Sequence, residues 1–235
     1  MKKRLRSAFM LHSKTPEFRE KVEKSLKIIQ EHYVKNRSYV SCSGGKDSLV
    51  LTHLCLKVDP DILVFHWDHG AYLMPREVEK DILGCIKALG VKNLAVRTSR
   101  RLWRPEARVD YRIWYRAFYG ALRKLVEERG LEVCFLGFRA EESPRRKCRT
   151  RRFYEYDKAT GVKLVYPIRS WTWLDVWAYI VSNNIKYPKV YDIYGEVLGY
   201  DKARLVTFFD MEFEKYGSPY IDGVLMWRYR HEAGF

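Results

Sequence analysis

The chain has 235 residues, 47% of them hydrophobic, which is enough for one full core and excludes a disordered chain. A formal charge of +15 at pH 7 points to an anionic partner, although charge alone does not separate a nucleotide from a nucleic acid. No apolar run approaches the roughly 20 residues that cross a bilayer, and the basic start over residues 1–12 has too brief an apolar stretch for a secretory leader. A soluble, cytoplasmic protein without membrane contact is therefore expected.

Residues 1–37 read as a basic helical segment, because Phe18, Val22, Leu26, Ile29 and Val34 recur at helical spacing among charges between 17 and 35. A buried strand then enters a glycine turn and a helix that is apolar on several sides, with Leu49, Val50, Leu51, Leu54 and Leu56. A second strand is predicted over 61–67, a helix over 76–89 closed by Gly90, and a third strand over 93–98. A long helix over 111–129 stops at Gly130, and a fourth strand follows over 132–137. This alternation predicts an α/β fold: a Rossmann-like, twisted parallel sheet with helices on both faces, spanning 38–199, with an extension over 200–235 packed on or near the site. Ligands of such sheets bind beyond the carboxyl ends of the strands.

The first strand leads into Ser43-Gly44-Gly45-Lys46-Asp47-Ser48. Two glycines without Cβ let the backbone take positive φ and approach an anion, and the free N–H groups of the helix start point at it. The helix dipole and Lys46 add positive charge at the same spot. Asp47 either ligates Mg²⁺ or complements the dipole. Past the second strand, Asp68 suits either an adenosine group, a metal ion on the phosphates or a tight turn. His66 and His69 flank it and are read as structural groups. Past the fourth strand, Arg139, Arg145 and Arg146 offer guanidinium forks for phosphate or sulfate. Thr172 and Asp175 read as a capping box, with Trp171, Trp173 and Trp177 as packing residues. Five cysteines at 42, 55, 85, 134 and 148 contain no Cys-x-x-Cys pair, so no disulfide framework, zinc site or iron–sulfur cluster is expected. The first four lie in apolar runs, whereas Cys148 sits among arginines and lysines, a setting that favours a reactive thiol.

Contiguity of the loop separates it from the commoner phosphate loop, and it resembles the Ser-Gly-Gly-x-Asp-Ser loop of the ATP pyrophosphatases. Three further segments are similar to the phosphoadenosine phosphosulfate reductase-like family of that superfamily: residues 65–77, Gly137-Phe138-Arg139-Ala140-Glu141-Glu142-Ser143-Pro144-Arg145-Arg146, and 166–180 with the Tyr187-Pro188 to Asp192 stretch. The resemblance covers roughly 38–200. It implies an adenine nucleotide alpha hydrolase-like fold. It also implies nucleotide binding by Ser43, Gly44, Gly45, Lys46, Asp47, Ser48, Asp68, Gly137, Arg139, Glu142 and Arg146, with Lys46, Asp47, Arg139 and Arg145 in catalysis and Asp47 or Asp68 near Mg²⁺.

Reductases of that family attack sulfur with a cysteine in a Glu-Cys-Gly-x-His-type tail, and no cysteine follows Cys148 here. The expected reaction is thus attack on the α-phosphate of ATP by an anionic co-substrate, with pyrophosphate release. The small subunit of bacterial ATP sulfurylase is similar in motif set and implies a GTPase partner. The alternatives are an enzyme of adenylyl sulfate or phosphoadenylyl sulfate that uses Cys148 or a partner's thiol, and a non-catalytic nucleotide- or nucleic-acid-binding module. In the last, Lys2, Lys3, Arg4, Arg6 and the 97–108 arginines would grip phosphates. A homo-oligomer is compatible with each.

Overall fold

Residues 1–70, 73–104, 111–203 and 205 are described by the computed structural model. Two helices, α1 (Lys3–His12) and α2 (Pro16–His32), precede the sheet where a single one is expected. The break has a local cause: the Thr15 hydroxyl accepts from the Phe18 N–H, and Pro16 starts α2 at a position where its missing N–H costs nothing. Strands and helices then alternate as β1 (Ser38–Ser41), α3 (Lys46–Val58), β2 (Leu63–Trp67), α4 (Arg76–Ala88), β3 (Leu94–Arg97), α5 (Tyr111–Arg129) and β4 (Val133–Phe135).

The second half adds α6 (Pro144–Arg149), β5 (Tyr154–Tyr156), β6 (Lys163–Val165), α7 (Trp173–Ser182) and α8 (Val190–Leu198). The sheet order is β3-β2-β1-β4-β6-β5. All pairings are parallel except β5 with β6. The four strands read from the sequence are all parallel, and the exception lies beyond them, its reason being chain length. Only residues 157–162 join the two strands, too few for a parallel crossover, and Asp157 closes the turn by accepting from the Thr160 N–H and hydroxyl.

Side chains alternate between the faces. Val40, Val64 and Val133 join a core with α1, α2, α3, α4 and α7, while Tyr39, Leu63, Phe65 and Cys134 join a second core with Leu122 and Leu125 of α5. Helices therefore cover both faces. Of the tryptophans read as packing residues, Trp171 and Trp177 are buried in the first core. Thr172 and Asp175 form the expected capping box on α7. Asp175, fully buried, also accepts from His12 Nε2 at 2.8 Å and Lys21 Nζ at 2.6 Å, so the cap of α7 anchors α1 and α2 as well.

β1 lies between β2, which leads on to β3, and β4, which leads on to β6; the strand order reverses at β1 and β4. Chains leaving these two strands diverge and open a crevice at their carboxyl ends. Most of the extension read over 200–235, from residue 206 on, lies outside the described residues, as does Arg108 of the basic run.

Candidate functional site

The loop after β1 and the loop after β4 meet in that crevice. Its lining includes Ser43, Gly45, Lys46, Asp47 and Ser48 from the first, Gly137, Phe138, Glu142 and Arg146 from the second, and Tyr191 of α8. The glycines explain the closeness. Gly44 has φ +79°, and a Cβ there would stand 2.2 Å from Ile82 Cγ2; a Cβ on Gly137 would stand 3.1 Å from the Asp47 carbonyl. Gly45 begins α3 without a capping side chain, which leaves the helix start facing the crevice.

The charges are held by one another. Lys46 is buried, its Nζ 3.3 Å from Asp47 Oδ2 and donating to the Ala203 carbonyl at 3.0 Å. Arg139 Nε donates to Asp47 Oδ1 at 2.5 Å, and Arg139 also pairs with Glu141. Burial pushes the Asp47 carboxyl up, but Arg139 and Lys46 outweigh it and hold the group far below the usual carboxylate range. Burial likewise opposes the charge of Arg139, and Asp47 and Glu142 more than restore it. Arg139 is therefore a strut beneath the loop and not part of the crevice lining. Arg146 does line it, with its guanidinium 4.5 Å from the Phe138 ring centroid and paired to Glu142 at 2.5 Å. The side chain of Arg145 lies outside the described residues.

Asp68 stands apart from the crevice lining. Both its oxygens accept from Arg76, at 2.6 and 2.9 Å, and Oδ1 also accepts from the Gly70 N–H, which is the turn geometry. Each oxygen of Asp47 likewise faces a cation. As arranged, then, neither carboxylate offers an oxygen without a cationic neighbour, and the residues present do not fit a resident Mg²⁺. His66 is structural: its Nδ1 donates to the Cys42 carbonyl at 2.7 Å, and its Nε2 faces Glu79 at 2.8 Å. His69 Nδ1 accepts from Trp114 Nε1 at 2.9 Å; burial and the nearby His66 push its pKa down to about 3. Cys42, Cys55, Cys85 and Cys134 are buried, and Cys148 is exposed on α6.

Tyr191 is the residue that sequence reasoning missed. Its hydroxyl accepts from the Lys46 N–H at 2.9 Å, so α8 occupies one of the helix-start donors. The only signal was its place in the 187–192 stretch, which carries no chemistry on its face.

A family model described as the phosphoadenosine phosphosulfate reductase domain matches residues 37–200. Among similar proteins is an uncharacterized protein of Methanocaldococcus jannaschii, 32% identical over 77% of this chain and 46% of its own length. An adenosine 5'-phosphosulfate reductase of Lysinibacillus sphaericus is 27% identical over 72% of this chain and 74% of its own. Against the archaeal relative, this chain spans under half the length. Among solved structures, phosphoadenylyl-sulfate reductase of Candida auris aligns with TM-score 0.57 at 11% identity, covering 76% of this chain and 92% of the other. FMN adenylyltransferase of Candida glabrata, in complex with FAD and inorganic pyrophosphate, gives 0.57 at 14% identity, covering 80% and 65%. At such identities the likeness is one of fold.

Proposed function

The chain belongs to the phosphoadenosine phosphosulfate reductase domain family, and on that premise we propose that it is an enzyme that seats an adenine nucleotide by its phosphates in the crevice and reacts at the α-phosphorus. The observation that carries this reading is the convergence of the α3 start, Lys46 and Arg146 on one crevice at the reversal of strand order. An oxyanion of the co-substrate attacks the α-phosphorus of ATP, the bond from that phosphorus to the bridging oxygen breaks, and pyrophosphate leaves with the electron pair. Lys46 and the N–H groups of α3 offset the charge that gathers on the leaving group, while Asp47 and Arg139 keep Lys46 in place. The lining favours a nucleophile brought by the second substrate, since its described residues carry hydroxyls, carboxylates and cations but no thiol. ATP enters as its Mg²⁺ complex, with the metal carried by the substrate.

A second reading is favoured by relatives named adenosine 5'-phosphosulfate reductase. In it the crevice holds adenylyl sulfate or its 3′-phosphorylated form; the thiolate of Cys148 or of a partner attacks the sulfur, the bond from sulfur to the phosphate's bridging oxygen breaks, and AMP or its 3′-phosphorylated form leaves with the electron pair, the sulfonate staying on the thiol. One experiment separates the two. The protein is incubated with ATP, Mg²⁺ and sulfate or a carboxylate, and separately with each sulfonucleotide, with pyrophosphate release and binding both measured. Pyrophosphate release supports the first reading; tight sulfonucleotide binding without it supports the second. Lys46→Ala is expected to abolish binding of either ligand with the fold intact, and unchanged binding in that variant would refute the site.

A further inference from the structure

The basic run that leads out of the crevice continues beyond anything the nucleotide needs. Residues 144–163 hold eight lysines and arginines against two acidic residues. Arg146 and Arg149 are tied down, by Glu142 and Glu155. Lys147, Arg151, Arg152 and Lys158 are exposed, and none of them forms an ion pair with a described residue. Between these cations runs β5, the outermost strand of the sheet, with Tyr154 and Tyr156 on one face and Glu155 on the other.

Tyr156 is the most exposed of the large aromatic side chains among the described residues, and Tyr154 is as exposed as Trp103 and Tyr115, whereas most of the others fill the cores. Tyr154 is 41% exposed and Tyr156 is 65% exposed. The Tyr154 ring is fixed, with Lys163 Nζ 4.2 Å from its centroid and His32 edge-on at 5.6 Å. Tyr156 stands perpendicular to it, centroids 6.3 Å apart, so a held ring buttresses an open one. An edge strand normally sheds exposed aromatic surface or guards it with charge that repels other strands. Here the exposed charges beside the strand, Arg151, Arg152 and Lys158, are all positive and flank a stacking platform.

We propose that the β5 edge binds a single-stranded polynucleotide, with an unpaired base stacked on Tyr156, Tyr154 bracing it, and successive phosphates on Arg151, Arg152 and Lys158. The chemistry favours this occupant. Bases splayed from a single strand stack on aromatic side chains of a sheet, and exposed cations on either side of the tyrosines suit a polyanion rather than a single phosphate group. The alternation of exposed residues at 152, 154, 156 and 158 places cations at both ends of the tyrosine pair. A duplex would offer no free base face to the tyrosines. The assignment does not depend on which nucleotide occupies the crevice.

The test is fluorescence anisotropy of labelled oligouridylate over a salt series, on the full chain. The native protein is expected to bind with a steep salt dependence. Tyr154→Ala/Tyr156→Ala is expected to weaken binding about tenfold or more at constant salt slope, since stacking is uncharged. Arg151→Ala/Arg152→Ala/Lys158→Ala is expected to lower the slope by about 2, since each phosphate that is no longer neutralised removes about 0.7. Lys46→Ala is expected to bind RNA as the native protein does, which keeps a failure here distinct from a failure of the crevice reading. Circular dichroism of the surface variants checks that they remain folded. Absence of binding, binding untouched by both surface variants, or equal binding of duplex RNA would overturn the proposal.

Discussion

Single residues decide whether the loop can form at all. Gly44 and Gly90 both sit at positive φ, +79° and +82°, but a Cβ at Gly44 meets Ile82 while one at Gly90 meets nothing within 4 Å. The pair therefore separates backbone strain from steric clash. Gly90→Ala is expected to cost about 1 kcal/mol from the left-handed conformation alone. Gly44→Ala adds the displacement of a buried isoleucine and is expected to cost about 1–3 kcal/mol more, with nucleotide binding lost. Urea unfolding of both variants checks this, and equal costs would show that Ile82 yields freely. The glycine turn into the start of α3 was legible at this scale, because glycines, a lysine and a helix start form a local pattern. The fate of Asp68 and Arg139 was not. Asp68 pairs with Arg76 eight residues on, at the start of α4, and Arg139 with Asp47, 92 residues away.

At the scale of elements, the chain shows how one cap can carry three helices. Asp175 closes α7 and holds His12 of α1 and Lys21 of α2 while fully buried. Asp175→Asn keeps the shape but leaves Lys21 and His12 without a charged partner, and is expected to cost about 2–4 kcal/mol. For a chain of this size that is a fall of roughly 5–15 °C in Tm. A scanning calorimetry trace unchanged from the native protein would refute the anchoring role. The capping box was legible from Thr172 and Asp175 three residues apart; the reach to α1 and α2 was not, since the partners lie 163 and 154 residues away. α8 is, with α6, β5 and β6, among the elements that local pattern left unread, and it supplies Tyr191 to the crevice.

For the whole molecule, the titrating groups act in one direction. Burial lowers His32 and His53, and takes His69 down to about 3. In the unfolded chain these groups take up protons near pH 6.5, so their share of stability is lost as pH falls below that value. Burial raises Asp47, Asp68 and Asp175, but Arg139, Arg76 and His12 with Lys21 respectively outweigh it and hold them low. Their share is present above the unfolded value near 4 and is lost as pH falls toward the folded ones. Each protonation also adds to a chain already at +15. The urea midpoint is expected to fall steadily from pH 7 to pH 4, with His69 contributing about 1 kcal/mol per pH unit over the upper part of that range. A flatter profile between pH 6.5 and 5 in His69→Gln is the confirming result, and a midpoint that rises on acidification would sink the account.

By itself the sequence determined the alternation of strands and helices, the helices on both faces, the loop that starts α3 and the cap of α7. Each rests on hydrophobic period, glycine placement or contacts within one turn, which are properties of neighbouring residues. Only the tertiary structure decided that α8 covers the loop, that Arg139 supports Asp47 instead of facing the crevice, and that β5 runs antiparallel at the sheet edge with its tyrosines exposed. The first two depend on pairings between residues far apart in the chain, where burial makes each charge take whichever partner the packing brings within reach; β5 is antiparallel because its turn to β6 is short, and it lies at the edge because β6 pairs with the distant β4.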